Sequence, residues 1–82
     1  MAEFTPEQID SVGALLINAE RPLKERFRAL FTLKAVGGPR AIDWMGRAFS
    51  DQSALLKHEV AYCLGQVLCR LLHCIGVDWT AL

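Results

Sequence analysis

Ser53-Ala54-Leu55-Leu56-Lys57-His58-Glu59-Val60-Ala61-Tyr62-Cys63-Leu64-Gly65-Gln66 is the stretch on which the fold turns. Ser53 is a good helix cap, and nothing after it breaks a helix before Gln66. Each helical residue advances about 100°, so Leu56, Val60 and Leu64 share one face. Leu55, His58, Glu59, Tyr62 and Gln66 lie together on the opposite side. The stretch predicts an amphipathic helix from about Ala54 to at least Gln66, with one face for a core and a polar-aromatic face turned away from it.

Working outward, the same pattern occurs earlier. Phe27 stands 31 residues before His58, and that offset places Arg26 on Lys57, Ala29 on Val60, Phe31 on Tyr62 and Leu33 on Leu64. The helices ahead of these align too, with Ile9, Val12 and Leu16 falling on Ile42, Met45 and Phe49 at an offset of 33. The two-residue difference can be taken up in a turn. Thr5-Pro6-Glu7-Gln8 opens the first helix: Thr5 caps, Pro6 suits a first-turn position, and Gln8 completes a capping box. Its apolar stripe is Ile9, Val12, Leu15 and Leu16. After a break at Asn18-Ala19-Glu20-Arg21 the chain restarts at Pro22, and Leu23, Phe27, Leu30 and Phe31 form a second stripe. Gly37-Gly38-Pro39 stops that helix and starts a third, whose stripe is Ile42, Met45 and Phe49. Ser50-Asp51-Gln52-Ser53 supplies caps for the fourth. A helix–turn–helix unit repeating about every 30 residues predicts an all-α, HEAT-like α-solenoid of about two helix-pair repeats. Periodicity alone fits an antiparallel four-helix bundle as well.

Composition narrows the functions such a chain can have. Nine Lys+Arg balance nine Asp+Glu, which leaves no electrostatic case for nucleic acid or an anionic membrane. With 52% hydrophobic residues the chain can form a core, yet 82 residues barely hold an enzyme active site assembled from several elements. Three cysteines without a Cys-x-x-Cys pair argue against a disulfide scaffold and for a reducing, cytoplasmic setting. Met1-Ala2-Glu3 reads as no secretory signal, and Arg70 interrupts the apolar run that a membrane span would need. Gly37-Gly38-Pro39 is a turn, not a phosphate loop. Arg21, Lys24, Arg26 and Arg28, beside Glu20 and Glu25, read as a mixed solvated face. Trp44 and Phe49 read as packing, with Trp44 able to lie partly exposed.

His58-Glu59 is the pair to which chemistry can be attached. In a solenoid the second helix of each pair lines the concave surface, which would set an imidazole beside a carboxylate in one cleft. Imidazole and carboxylate together form a ligand set for iron, zinc or manganese. Adjacent residues diverge by about 100° and cannot chelate as His-x-x-x-His does. They can serve different metals, or different sides of a two-metal site. Without further residues the pair also reads as an ordinary solvated couple on a helix.

The neighbouring residues add to this. Ser53 to Gln66, together with Arg26-Phe27-Arg28-Ala29-Leu30-Phe31-Thr32-Leu33 and Gly37-Gly38-Pro39, resembles the deoxyhypusine hydroxylase (deoxyhypusine monooxygenase) family from about Thr5 to Gln66. The resemblance implies a HEAT-like solenoid of two symmetric halves around a non-haem di-iron centre. It implies a monooxygenase that uses iron and O2 to hydroxylate deoxyhypusine on translation initiation factor 5A, completing hypusine formation. Carried over, His58 and Glu59 would be iron ligands, the first of four such His-Glu motifs. This chain has one of the four, so the resemblance implies an N-terminal fragment or truncated form, inactive alone. A metal-free HEAT-repeat module that binds a protein partner is the alternative reading.

Beyond Gln66 the resemblance ends, which divides the chain into residues 1–66 and a divergent apolar tail, 67–82. Cys69, His73 and Cys74, with Cys63 before them, could be drawn as a soft metal site. The set lacks paired-ligand spacing, and the thiols read better as small apolar residues. Leu68, Leu71, Leu72, Ile75, Val77, Trp79 and Leu82 either fold back as a cap or leave an exposed patch. Two repeats and such a tail predict marginal stability, or self-association through the exposed solenoid end.

Overall fold

The computed structural model describes residues 4–76. Among them every regular element is helical: α1 (Pro6–Ile17), α2 (Leu23–Val36), α3 (Gly38–Arg47), a single 3-10 turn (Ala48–Ser50) and α4 (Ala54–Cys74). The caps are those the residue types dictate. Thr5 Oγ1 accepts from Gln8 N–H at 3.1 Å, and the Gln8 side chain accepts from Thr5 N–H at 2.9 Å, closing the capping box. Ser53 Oγ accepts from Leu56 N–H at 3.2 Å at the start of α4. Between α2 and α3 the backbone passes through φ 68° at Gly37 and 82° at Gly38, a region that L side chains rarely occupy. Pro39 follows as the second residue of α3, where its missing N–H is harmless.

How the helices pair separates the two architectures that periodicity left open. α1 packs on α2 and α3 on α4 as hairpins, while α1 lies on α3 and α2 on α4. A four-helix bundle of this connectivity would instead bring α1 against α4, and these two make no comparable contact. The hairpins are stacked in the same order, forming an outer layer of α1 and α3 and an inner layer of α2 and α4. This is a solenoid of two pairs. Its radius of gyration, 13.0 Å, exceeds the roughly 12 Å of an equally long globular chain, as stacking in one direction requires.

The core lies between the layers. Leu16, Ala29, Leu30, Leu33, Ala41, Met45, Ala48, Leu56, Val60, Cys63 and Val67 are buried. Each predicted stripe is rotated slightly from the buried face. On α2 the buried residues are Arg26, Ala29, Leu30 and Leu33, whereas Leu23 and Phe31 are exposed and Phe27 is half-buried. On α1 only Leu16 of the stripe is fully covered, and Ile9, Val12 and Leu15 pack at its margin. Phe49 falls in the 3-10 turn and is exposed. On α4, Cys63 and Val67 continue the line of Leu56 and Val60, with Leu64 half-buried beside it. The rotation has one cause: each helix touches a hairpin partner and a stacked neighbour, so its contact line runs between the two.

The division at residues 66/67 falls inside α4. The helix runs 21 residues, about 31 Å, against about 21 Å for the 14 residues of α2. Val67 belongs to the core, and Arg70 Nη2 donates to the carbonyl of Lys34 in the last turn of α2. On either side of that contact Leu68, Leu71 and Ile75 are exposed, so the described part of the tail is a helix extension with an open apolar side. Val77, Trp79 and Leu82 lie outside the described residues. No described helix is long and apolar enough to cross a membrane.

Candidate functional site

α4 is anchored at its start by a buried charge. Arg26 is 3% exposed; its Nε donates to the Leu16 carbonyl at 2.9 Å, and its Nη2 is paired with Asp51 Oδ2. Asp51 Oδ1 in turn accepts from the Ser53 N–H at 2.8 Å. The Arg26 guanidinium holds the Asp51 carboxyl below the usual carboxylate range, against the opposing effect of burial. One side chain thereby ties the end of α1, the start of α2 and the cap of α4. Arg26 therefore does not belong to the solvated basic face that its neighbours suggest. The residue between Glu25 and Phe27 faces inward, toward a helix end with an unpaired carbonyl. A groove of about 630 Å³ opens beside this joint, lined by Ile17, Leu23, Arg26, Arg47, Asp51 and Ser53 among others. Neither His58 nor Glu59 lines it.

His58 and Glu59 stand in the second turn of α4, His58 on the side away from Leu56, Val60 and Cys63 and Glu59 at the margin of that buried line, one turn before Cys63. His58 is exposed and Glu59 half-buried. Leu55 and Tyr62, 58% and 60% exposed, flank the pair, and Gln66 Nε2 donates to the Tyr62 hydroxyl at 3.2 Å. The five residues that the sequence groups on one side of this helix are thus all outside the core. At the positions of α2 that match His58 and Tyr62 the side chains are aromatic, Phe27 stacking on Phe31 with centroids 6.4 Å apart and planes at 20°, while Arg28 stands where α4 has Glu59. The inner layer presents an aromatic pair on one helix and an imidazole–carboxylate pair on the next.

The donors are of the right type for iron. Among the described residues, however, no three His, Cys, Asp or Glu side chains gather as a metal site would require. Two donors fall short of even the two-His-one-carboxylate set of non-haem iron enzymes. The described thiols, Cys63 and Cys69, do not make up the difference; the Cys74 side chain lies outside what the structure describes. Cys63 is buried in the core, and burial above all, with help from Glu59, pushes its thiol up while Lys34 opposes. It stays protonated and packs as a small apolar residue. Cys69 is half-buried and His73 exposed.

No protein-family model matches the chain. Individual proteins do. Deoxyhypusine hydroxylase of Drosophila pseudoobscura pseudoobscura is 67% identical over 61 residues, which are 74% of this chain and 20% of that protein. The Homo sapiens deoxyhypusine hydroxylase is 57% identical over 63 residues, 77% of this chain and 21% of its own length. The solved structure of human deoxyhypusine hydroxylase in complex with glycerol superimposes with a TM-score of 0.74 at 56% identity, over 76% of this chain and 22% of that one. At such identity the fold of the matched stretch is shared by descent. Over about three quarters of its length this chain is a homologue of the deoxyhypusine hydroxylases, and it spans about a fifth of theirs.

Proposed function

We propose that the chain carries one part of a deoxyhypusine hydroxylase iron site, with His58 and Glu59 as one imidazole and one carboxylate ligand. The observation that carries this reading is that an exposed imidazole and a half-buried carboxylate are adjacent on one helix in a close homologue of those enzymes. When bound, iron would supply the oxygen activation needed to hydroxylate deoxyhypusine on translation initiation factor 5A. The chain's own residues present and hold the donors. Leu56, Val60 and Cys63 seat α4 on the core and so fix the rotation of the helix, with His58 turned outward and Glu59 at the edge of the buried line. Arg26, through Asp51 and Ser53, fixes where the helix begins. Glu59 also provides a negative field suited to the cationic amine of the substrate side chain. Two donors do not complete an iron site, so the remaining ligands have to come from outside residues 4–76, and the chain alone is inactive.

Anaerobic titration with ferrous iron, followed by metal analysis of the purified chain, tests this. Weak iron binding that falls at least about tenfold in both His58→Ala and Glu59→Gln is the expected result. Iron binding of the same strength in the double variant would end the reading.

A second reading has its own support. Phe31, Leu55 and Tyr62 leave apolar surface open on the inner helices, which fits a metal-free module that binds a protein partner. It predicts partner capture that is unchanged by His58→Ala and lost with Tyr62→Ala.

A further inference from the structure

No residue of the proposed iron face lines the groove beside the Arg26 joint, and the walls of that groove carry a chemistry of their own. It lies in the seam between the two hairpins, where the end of α1 and the start of α2 meet the 3-10 turn and the cap of α4. Neither residues 1–3 nor residues 77–82 reach it, since they span at most about 11 Å and about 21 Å. The seam lies the full length of α1, about 18 Å, from the first and the full length of α4, about 31 Å, from the second.

Three guanidiniums line the groove, those of Arg21, Arg26 and Arg47, against one carboxylate, Asp51. That carboxylate is already spent on Arg26 and on the Ser53 N–H. The arginines are not. Arg26 has five N–H groups and commits one at Nε and one at Nη2. Its Nη1 meets no acceptor among the described residues, yet the buried side-chain atom left without a partner there is Gln66 Oε1. Nη1 therefore reaches open space, and the groove is the space that this otherwise buried side chain lines. Arg21 and Arg47 are half exposed, each held by one oxygen of an acid four residues away, Glu25 and Asp43. Exposed pairs of this kind exchange readily for a stronger acceptor. The backbone adds donors: Pro22 gives α2 no side-chain cap, so its first N–H groups, beginning at Leu23 in the groove wall, lack a side-chain acceptor. Beside these donors stand two apolar side chains, Ile17 and Leu23, both partly exposed.

We propose that the groove is a binding site for a small phosphate monoester whose alcohol part is apolar. The phosphate brings close to two negative charges and three terminal oxygens. The lining has three positive charges less one negative, an excess of two, and three guanidiniums to donate. The oxygens accept from Arg21 and Arg47 at the mouth and from Arg26 Nη1 at the floor, and the uncapped start of α2 adds its N–H groups. The apolar part covers Ile17 and Leu23. A carboxylate has one charge and two oxygens, and leaves a guanidinium unmatched. At about 630 Å³ the groove has the size of a small-molecule site.

The test titrates the full 82-residue chain, ¹⁵N-labelled, with phenyl phosphate at neutral pH. The expected result is saturable movement of the Leu23, Ser50 and Gln52 amide resonances while those of His58 and Tyr62 stay in place. Inorganic phosphate lacks the apolar part and benzoate the third oxygen, so each binds at least about fivefold more weakly. Arg21→Gln and Arg47→Gln each weaken phenyl phosphate by at least about fivefold. Leu23→Ala weakens phenyl phosphate and leaves inorganic phosphate unchanged. All three side chains are partly exposed, so the variants keep the fold, which circular dichroism melts verify. Three results would overturn the proposal: no saturable movement at these amides, unchanged binding in the double variant Arg21→Gln with Arg47→Gln, or inorganic phosphate bound as tightly as phenyl phosphate, the mark of a non-specific ionic patch.

Discussion

Two ion pairs join the first hairpin to the second, and they are opposite in kind. At the turn end, Arg26 and Asp51 are dry, with side chains 4% and 9% exposed. Along the outer layer, Arg40 and Asp10 are wet, at 53% and 40%. Water decides what each contributes. A buried charge stripped of its partner costs several kcal/mol, because nothing else solvates it. An exposed pair is screened and readily replaced by hydration, so its worth lies in alignment more than in strength. The wet joint is nevertheless made specific by what it frames, the indole of Trp44 seated on Gly13. One joint is strong because it is closed, and the other is selective because of its shape.

The sharpest way to break this comparison is Arg26→Ala. It orphans the Asp51 carboxylate and the Leu16 carbonyl together, and should destabilise the chain by about 3–5 kcal/mol, read as a lower urea midpoint. Replacing both partners, Arg26→Met with Asp51→Leu, should recover part of that loss, since an apolar pair has no charge to desolvate. A double variant worse than either single one would show that the joint is not limited by desolvation.

Gly13→Ala should cost less, about 1–3 kcal/mol, because the added methyl collides with the Trp44 ring and forces the outer helices apart. Gly46→Ala, where the added methyl meets nothing within 4 Å, should instead leave the thermal midpoint level or raise it, since alanine is the better helix former. Equal losses at the two glycines would remove the distinction between a covered and an open position.

The smallest effects are those of acid and salt. Hydrogen bonds from Arg40 and Trp44 hold the Asp10 carboxyl down at about 2, and Arg26 holds that of Asp51 below its usual value as well. Both carboxyls are depressed in the folded state. Their contribution is therefore complete above about pH 4, the unfolded value, and is lost as pH falls toward 2. Midpoints followed from pH 5 to 2 should fall through that window, and in Asp10→Asn the fall should be shallower. Salt at about 1 M should narrow the gap between wild type and Asp10→Asn, and leave that of Arg26→Ala largely intact.

Legibility in the sequence followed the range of each interaction. The helix boundaries could be read because Thr5, Gln8, Ser53, Gly37 and Pro39 act on backbone groups within four residues of themselves. The His58-Glu59 face could be read because one helix sets its own periodicity. Leu23 and Phe31 were misplaced because a stripe gives the side of a helix that seeks cover, and a second neighbour rotates it. Arg26 was misread for a related reason. Its partners are the Leu16 carbonyl and Asp51, 10 and 25 residues away, and no local rule distinguishes it from Lys24 or Arg28.

What the sequence determined by itself was the all-helical character, the two-fold repetition and the side of α4 on which an imidazole and a carboxylate sit together. These rest on hydrogen bonds and periodicities that close within a turn or two of the chain. Only the tertiary structure decided that the hairpins stack as a solenoid, that one of the four basic residues from Arg21 to Arg28 is the buried staple, and that α4 runs on through residue 66 to cover the end of α2. It also separated two glycines of equivalent sequence position, one beneath an indole and one in open space. Such choices depend on which surfaces meet in three dimensions, and residues tens of positions apart make them.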